Sequence, residues 1–196
     1  SIEQPADLAT DKLREYEYTT FLVGIELPVE VEEQEDEFKG EFAVECGENL
    51  RNEFSRSIGK RIAEATGKQI DYQHPEVVVL VKPWANQVSL QINPLHIGGR
   101  YRKFVRDIPQ SRWLCSNCRG KGCKQCSGTG RMYPESIEEI VGLPALKLTQ
   151  GQDFAFHGAG REDVDARMLG LGRPFVIEVK KPRKRVINLK TMEKTI

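Results

Sequence analysis

The sequence predicts a mixed α/β chain made of more than one part, and three observations carry that prediction. Strand-type and helix-type stretches follow one another through the first hundred residues, two CxxC pairs interrupt the chain near its middle, and strand-type segments resume beyond them. With 39% hydrophobic and 30% charged side chains over 196 residues, the chain has the composition of an ordinary water-soluble protein with enough apolar material for a core. No apolar run approaches the roughly 20 residues of a membrane helix, and no basic segment followed by an apolar one opens the chain. A soluble cytoplasmic protein without a membrane partner is expected. The first residue is Ser1 rather than Met, as in a trimmed or processed chain.

The formal net charge of zero conceals an asymmetry. Residues 1–50 carry fifteen acidic and three basic side chains, so the remainder carries a net charge of +12. A polyanion is expected on that later, basic part, where phosphates are concentrated and binding is sensitive to salt.

Taken in order, residues 1–16 show a weak amphipathic helical pattern through Leu8 and Leu13. Thr19, Thr20, Phe21, Val23 and Ile25 read as a strand closed by Pro28. The acidic run VEVEEQEDEF that follows is expected to be a mobile or edge segment. Leu50, Phe54, Ile58 and Ile62 recur every four residues, which predicts a helix from about Glu48 to Thr66, with Gly67 as its stop and Arg51, Arg56, Lys60 and Arg61 on the opposite flank. PEVVVLV is a continuous apolar strand, KPWANQ a turn, and VSLQI an alternating strand with Val88, Leu90 and Ile92 on one face. Next, Arg100, Arg102, Lys103 and Arg106 are interleaved with Tyr101 and Phe104, the mixture of cations and stacking rings that suits single-stranded or splayed RNA.

Cys115, Cys118, Cys123 and Cys126 form two CxxC pairs, each opening a CxxCxGxG repeat, Cys115 to Gly122 and Cys123 to Gly130. Each pair can turn two thiolates to one side, and two such turns complete a tetrahedral sulfur site, for which zinc is the first choice and its role structural. A redox dithiol and disulfides are the other readings. The gap between the pairs is shorter than in ordinary zinc ribbons, so the turns must double back tightly or hold separate metals. Cys46, far off in sequence, is expected to be a buried small hydrophobe.

Beyond the cysteines, Ser136 and Glu139 are spaced as a capping box for a short helix, GLPALKL leads on to a strand DFAFH, and strands are expected at Phe175–Val179 and Arg185–Leu189, joined by the basic KKPRKR. Between them lies FAFHGAGREDVDARMLGLGRPF, in which Gly158 and Gly160 permit a sharp turn and Arg161, Glu162 and Asp163 follow at once.

GREDVDARMLGLGRPF resembles the active-site motif of the tRNA pseudouridine(54/55) synthase family of archaea and many eukaryotes. The segments FLVGIELP, GKRIAEATGK and VSLQINPLHIGGRYRKFVRDIPQ are similar to the RNA-binding THUMP domain that precedes the catalytic domain in that family. The resemblance implies a THUMP-like domain over residues 1–107, a linker with a four-cysteine zinc knuckle over 108–131, and the start of a pseudouridine synthase catalytic domain over 132–196. It implies isomerisation of a T-arm uridine of tRNA, with no organic cofactor and no obligate protein partner. Asp163 would be the catalytic carboxylate and Arg161 would support it by charge. Arg167, Arg173, Lys180, Lys181, Arg183, Lys184 and Arg185 would hold RNA phosphates, while Glu162 and Asp165 would pair with Arg167 or Arg173. The family's catalytic domain is much longer than the segment after the cysteines, so the chain alone is expected to bind RNA and to be inactive or nearly so; a non-catalytic zinc-containing RNA-binding protein is the alternative. The cysteine repeats also resemble those of DnaJ-type co-chaperones. That region carries more repeats and accompanies a His-Pro-Asp motif, whereas here His74 and Pro75 are followed by Glu76, so a co-chaperone is not expected.

Overall fold

The computed structural model describes residues 2–44 and 46–196, and the chain divides into two units, Ser1–Asn93 and Pro94–Ile196. In the first unit the strands β1 (Thr20–Ile25), β2 (Gln69–Ile70), β3 (Val77–Lys82) and β4 (Gln87–Ile92) form one sheet in the order β2-β1-β3-β4. β1 is parallel to β2 and β3, while β3 and β4 make an antiparallel hairpin with Val79 opposite Leu90. Alternation puts Phe21, Val23 and Ile25 of β1 and Val77, Val79 and Val81 of β3 into the core.

Two helices close that core. α1 (Glu3–Leu13) contributes Ala6, Ala9 and Leu13. The acidic run, expected to be mobile or an edge, forms a helix instead, α2 (Val29–Glu41). Glu30 and Glu32 lie in its first turn and Lys39 in its last, which suits the helix dipole, and Glu35 pairs with Lys39 one turn on at 2.6 Å. None of its residues is buried. α3 (Leu50–Thr66) covers the sheet with Ile58 and Ile62, flanked by Leu50 and Phe54. Asn49 caps its start by accepting from the Asn52 amide, and Gly67 ends it at φ 68°, its amide donating to the Ala63 carbonyl at 2.8 Å. On its outer flank Arg51 pairs with Glu32, Arg56 with Glu48 and Arg61 with Glu3.

The second unit is an antiparallel sheet of β5 (Leu95–Lys103), β6 (Asp153–Gly158) and β7 (Met168–Lys180), with β7 in the centre. The run from Arg100 to Lys103, read from sequence as the end of the first domain, therefore pairs with β7, Tyr101 lying opposite Arg173. Ile97, Tyr101, Ile177 and Val179 pack with Ile137, Val141 and Ala145 of α4 (Ile137–Thr149) and with Met192 of α5 (Leu189–Glu193). Ser136 caps α4 as its spacing predicts, accepting from the Glu139 amide at 3.3 Å, but the Glu139 carboxylate accepts from the Ser136 hydroxyl at 2.8 Å rather than from its backbone amide, so the reciprocal half of the capping box is not made.

α4 runs on through GLPALKL to Thr149, past Pro144, because Val141, Ala145 and Thr149 follow the helical repeat and are buried. Pro144 forgoes one helical bond, and burial on that face outweighs the loss. The strand expected at residues 185–189 is absent. The amides of Arg183 and Lys184 both donate to the Thr149 carbonyl, and Asn188 caps α5 by accepting from the Thr191 amide. Cys46 is exposed, not buried. No helix among the described residues is long and apolar enough to cross a membrane.

Candidate active site and metal centre

Between β6 and β7 the chain makes an irregular loop, 159–167, and what holds it comes chiefly from β5 and the residues just after it. Successive β5 residues alternate faces. Tyr101 and Lys103 point inward and are buried, whereas Arg100, Arg102 and, beyond the strand, Phe104 are exposed. The Tyr101 hydroxyl lies 2.7 and 2.8 Å from the two oxygens of Glu162, which is itself buried and accepts from Arg173 Nε at 2.8 Å. The expected pairing of Glu162 is therefore met by Arg173. Gln110 donates from Nε2 to the Tyr101 hydroxyl and to the Gly160 carbonyl, both at 2.9 Å, and Arg173 Nη1 donates to the Ala159 carbonyl at 2.9 Å. Burial, reinforced by the Glu162 carboxylate, pushes the Tyr101 phenol up to about 12.

Asp163 and Arg161 are both exposed, but they are not brought together. The Arg161 guanidinium lies over the Trp113 ring, 5.3 Å from its centroid, and no ion pair joins it to Asp163 among the described residues. Of the residues expected to meet RNA, Arg102 is stacked over Phe104 at 5.1 Å, Arg100 donates to the Leu171 and Gly172 carbonyls, and Arg106 donates to the Asp165 carbonyl. Arg167, Lys181, Arg183 and Lys184 are exposed, Lys180 faces Asp153 at 3.3 Å, and Arg185 is half-buried. Tyr101 and Lys103, grouped with these from sequence, are enclosed by the unit's own atoms. Both engage partners about sixty residues away, which a reading of neighbouring residues could not show.

The four cysteine sulfurs all lie within 4.8 Å of one another. Sγ of Cys115 is 3.9 Å from Cys123, Cys118 is 3.8 Å from Cys126, and Cys123 is 3.7 Å from Cys126. A tetrahedral site with metal–sulfur bonds of about 2.3 Å has edges of about 3.8 Å, so the spacing fits one ion held by four thiolates. The repeats double back as an approximate twofold. The Gly122 amide donates to Cys118 Sγ and the Gly130 amide to Cys126 Sγ, each at 3.2 Å. A side chain at Gly122 would meet the Gly128 carbonyl at 2.7 Å, and one at Gly130 would meet the Gly120 carbonyl at 2.4 Å, so each repeat's last glycine makes room for the other repeat's backbone.

At Cys126 burial opposes ionisation, but the amides of Cys123 and Gly130 outweigh it and bring the thiol down to about 6. The Asn117 side-chain amide lowers Cys123, whereas burial pushes Cys118 up. The knuckle's two legs are tied together by the Cys115 amide on the Gly130 carbonyl at 2.8 Å and the Met132 amide on the Trp113 carbonyl at 3.0 Å. Glu139, buried at the start of α4, clamps both legs through Arg112 at 3.2 Å and Arg131 at 2.8 Å. The capping spacing had marked Glu139, though not this second task.

Residues 96–196 match the family model described as Pus10, C-terminal, and residues 6–82 match that of the Pus10 THUMP domain, archaeal. The chain belongs to the Pus10 family. Curated Pus10 relatives named tRNA pseudouridine synthase Pus10 include those of Methanocaldococcus jannaschii, 48% identical over all of this chain and 42% of its own length, and Methanococcus voltae, 47% identical over 96% of this chain and 36% of its own. The Archaeoglobus fulgidus Pus10 is 42% identical over all of this chain and 54% of its own length. The chain thus spans about a third to a half of the curated Pus10 relatives it matches. Both the cysteine knuckle and the Asp163 loop fall inside the match to the Pus10 C-terminal model.

Proposed function

We propose that this chain is the RNA-binding and site-forming part of a tRNA pseudouridine synthase, and that the Asp163 carboxylate acts on a T-arm uridine. The observation that carries this is the presentation of Asp163, an exposed carboxylate on a loop held by the buried side chains of Tyr101 and Lys103 within the match to the Pus10 C-terminal model. In the reaction the C1′–N1 bond of uridine breaks, the base turns, and a C1′–C5 bond forms; the proton lost from C5 is balanced by one gained at N1, so no co-reactant is consumed. Asp163 serves either as nucleophile at C1′ or as the base that begins an elimination.

The uridine must leave the stack to be reached, at a cost of about a few kcal/mol, which phosphate contacts offset. Arg102, Arg167, Lys181, Arg183 and Lys184 are the exposed cations offered for this, in a unit with twenty basic and ten acidic side chains. Cys115, Cys118, Cys123 and Cys126 hold zinc, which supplies a structural crosslink there and no chemistry on the base. For the 196 residues alone we propose RNA binding without turnover, because the relatives that carry the synthase name are longer.

The test is pseudouridine formation on a tRNA transcript by the complete reading-frame product that contains this chain. Asp163→Ala is expected to abolish product while leaving tRNA affinity within about twofold, and product at the wild-type rate would refute the assignment.

A further inference from the structure

Lys103 stands where a lysine is costly. It ends β5 on the inner face of the sheet, only 2% exposed, and among the described residues no carboxylate pairs with it. An ammonium removed from water without a counter-charge is retained only where all its donors are matched. An ammonium has three donors, and here each has one acceptor: the carbonyls of Ile108 at 3.0 Å, Asp163 at 3.2 Å and Val164 at 3.1 Å.

Two of those acceptors are successive peptides of the motif loop. The grip is shared with Lys103's neighbours, because the Asp107 amide donates to the Val164 carbonyl at 2.9 Å and Arg106 Nη1 to the Asp165 carbonyl at 2.7 Å. Residues 103–107 therefore hold three consecutive carbonyls, those of Asp163, Val164 and Asp165. On the other side of Asp163, the Glu162 side chain is turned inward and locked by Tyr101 and Arg173. The backbone of Asp163 is fixed from both directions while the residue itself is exposed.

We propose that Lys103 is the positioning residue of Asp163, setting the peptide planes that fix where its carboxylate is carried above the sheet. The proposal rests on Asp163 being the reacting carboxylate. A displacement of about 1 Å in a reacting group costs on the order of 100-fold in rate, so loss of this anchor is a catalytic lesion even though Lys103 touches no substrate.

The test has two arms. In the complete reading-frame product, Lys103→Met is expected to lower kcat about 100-fold with tRNA affinity within about twofold. Lys103→Arg, which keeps donors at the same place, is expected to recover at least tenfold of that loss. In the 196-residue chain, backbone amide exchange over residues 161–166 is expected to rise at least tenfold in Lys103→Met while β1, β3 and β4 exchange as before. If Lys103→Met prevents the second unit from folding, Lys103→Gln, shorter and with two donors, is measured in its place against the same expectations. Unchanged exchange over 161–166 overturns the anchor, and wild-type kcat with raised exchange overturns its role in catalysis. Should Asp163→Ala also prove active, the catalytic reading falls while the exchange arm still decides whether Lys103 holds the loop.

Discussion

In the first unit the buried side chains that form the core are aliphatic and aromatic from α1 to β4. In the second they are joined by Lys103, Gln110, Ser136, Glu139, Thr149 and Glu162, and these six are all the buried polar or charged side chains among the described residues. Apolar packing fills space with little directional demand, whereas a buried polar group requires its partners at set angles and distances. The second unit uses that demand where apolar area is scarce, in the loop around Asp163 and in the legs of the knuckle. The units also differ in charge. Residues 1–93 carry nineteen acidic and nine basic side chains, a net charge of −10, and residues 94–196 the reverse balance, +10. Directionally held loops and a positive charge balance thus coincide in one half of the chain, while the other half, which carries the match to the Pus10 THUMP domain, is net acidic.

The strongest way to break this contrast is to remove the metal ligands. Cys115→Ser with Cys123→Ser is expected to take bound zinc from about one per chain to near zero and to unfold the knuckle, since structural zinc sites contribute on the order of 10 kcal/mol. The first unit's thermal transition is expected to stay in place. Metal analysis with calorimetry decides it, and zinc retained by the double variant would refute the four-thiolate site.

Charge reversal tests the electrostatic half of the comparison. Arg167→Glu, Lys181→Glu and Lys184→Glu together are expected to weaken tRNA binding about 100-fold near 0.15 M salt and to lower the salt slope by about 3. Arg51→Glu with Lys60→Glu on α3 is expected to change affinity less than about threefold. Equal losses from both sets would erase the assignment of RNA binding to the second unit.

A third test uses pH. The Tyr101 phenol is raised from 10.0 to about 12 in the fold, so the stability tied to its protonated form is complete below pH 10 and lost as pH climbs towards 12. The loss is about 2 to 3 kcal/mol of the second unit's stability, and Tyr101→Phe is expected to remove that dependence. Because burial also raises Tyr18 in the first unit, the two transitions must be followed separately, for instance by amide exchange. The smallest expected effect is in the first unit: Asn49→Ala removes the α3 cap at a cost of about 1 kcal/mol, with tRNA affinity unchanged in filter binding.

Much of the fold was legible because its signals are local. The four-residue recurrence from Leu50 to Ile62, the alternation of VSLQI and the Ser136/Glu139 spacing each fall within one element. α2 was not legible, since seven acidic residues in thirteen mask a helix that buries none of its residues. Nor was the division of labour along GRYRKF. Both faces of that strand carry charged or polar groups, so composition could not separate outward Arg102 from inward Lys103. The cysteine site was readable from spacing, and the Asp163 motif from resemblance. The main hold on Asp163 was hidden, because Lys103 acts across some sixty residues of sequence and on backbone carbonyls, which leave no trace in residue type.

The central place of β7 in its sheet bears on the order in which the chain can be assembled. Among the described residues β5 and β6 each pair only with β7, which ends at Lys180. During synthesis both wait as unpaired edges until β7, through Lys180, has left the ribosome. The knuckle waits for nothing so distant. Its sulfurs are complete at Cys126 and its interlocking glycines at Gly130, so it can close around a metal and join its two legs, Trp113 to Met132, while β7 is still unmade.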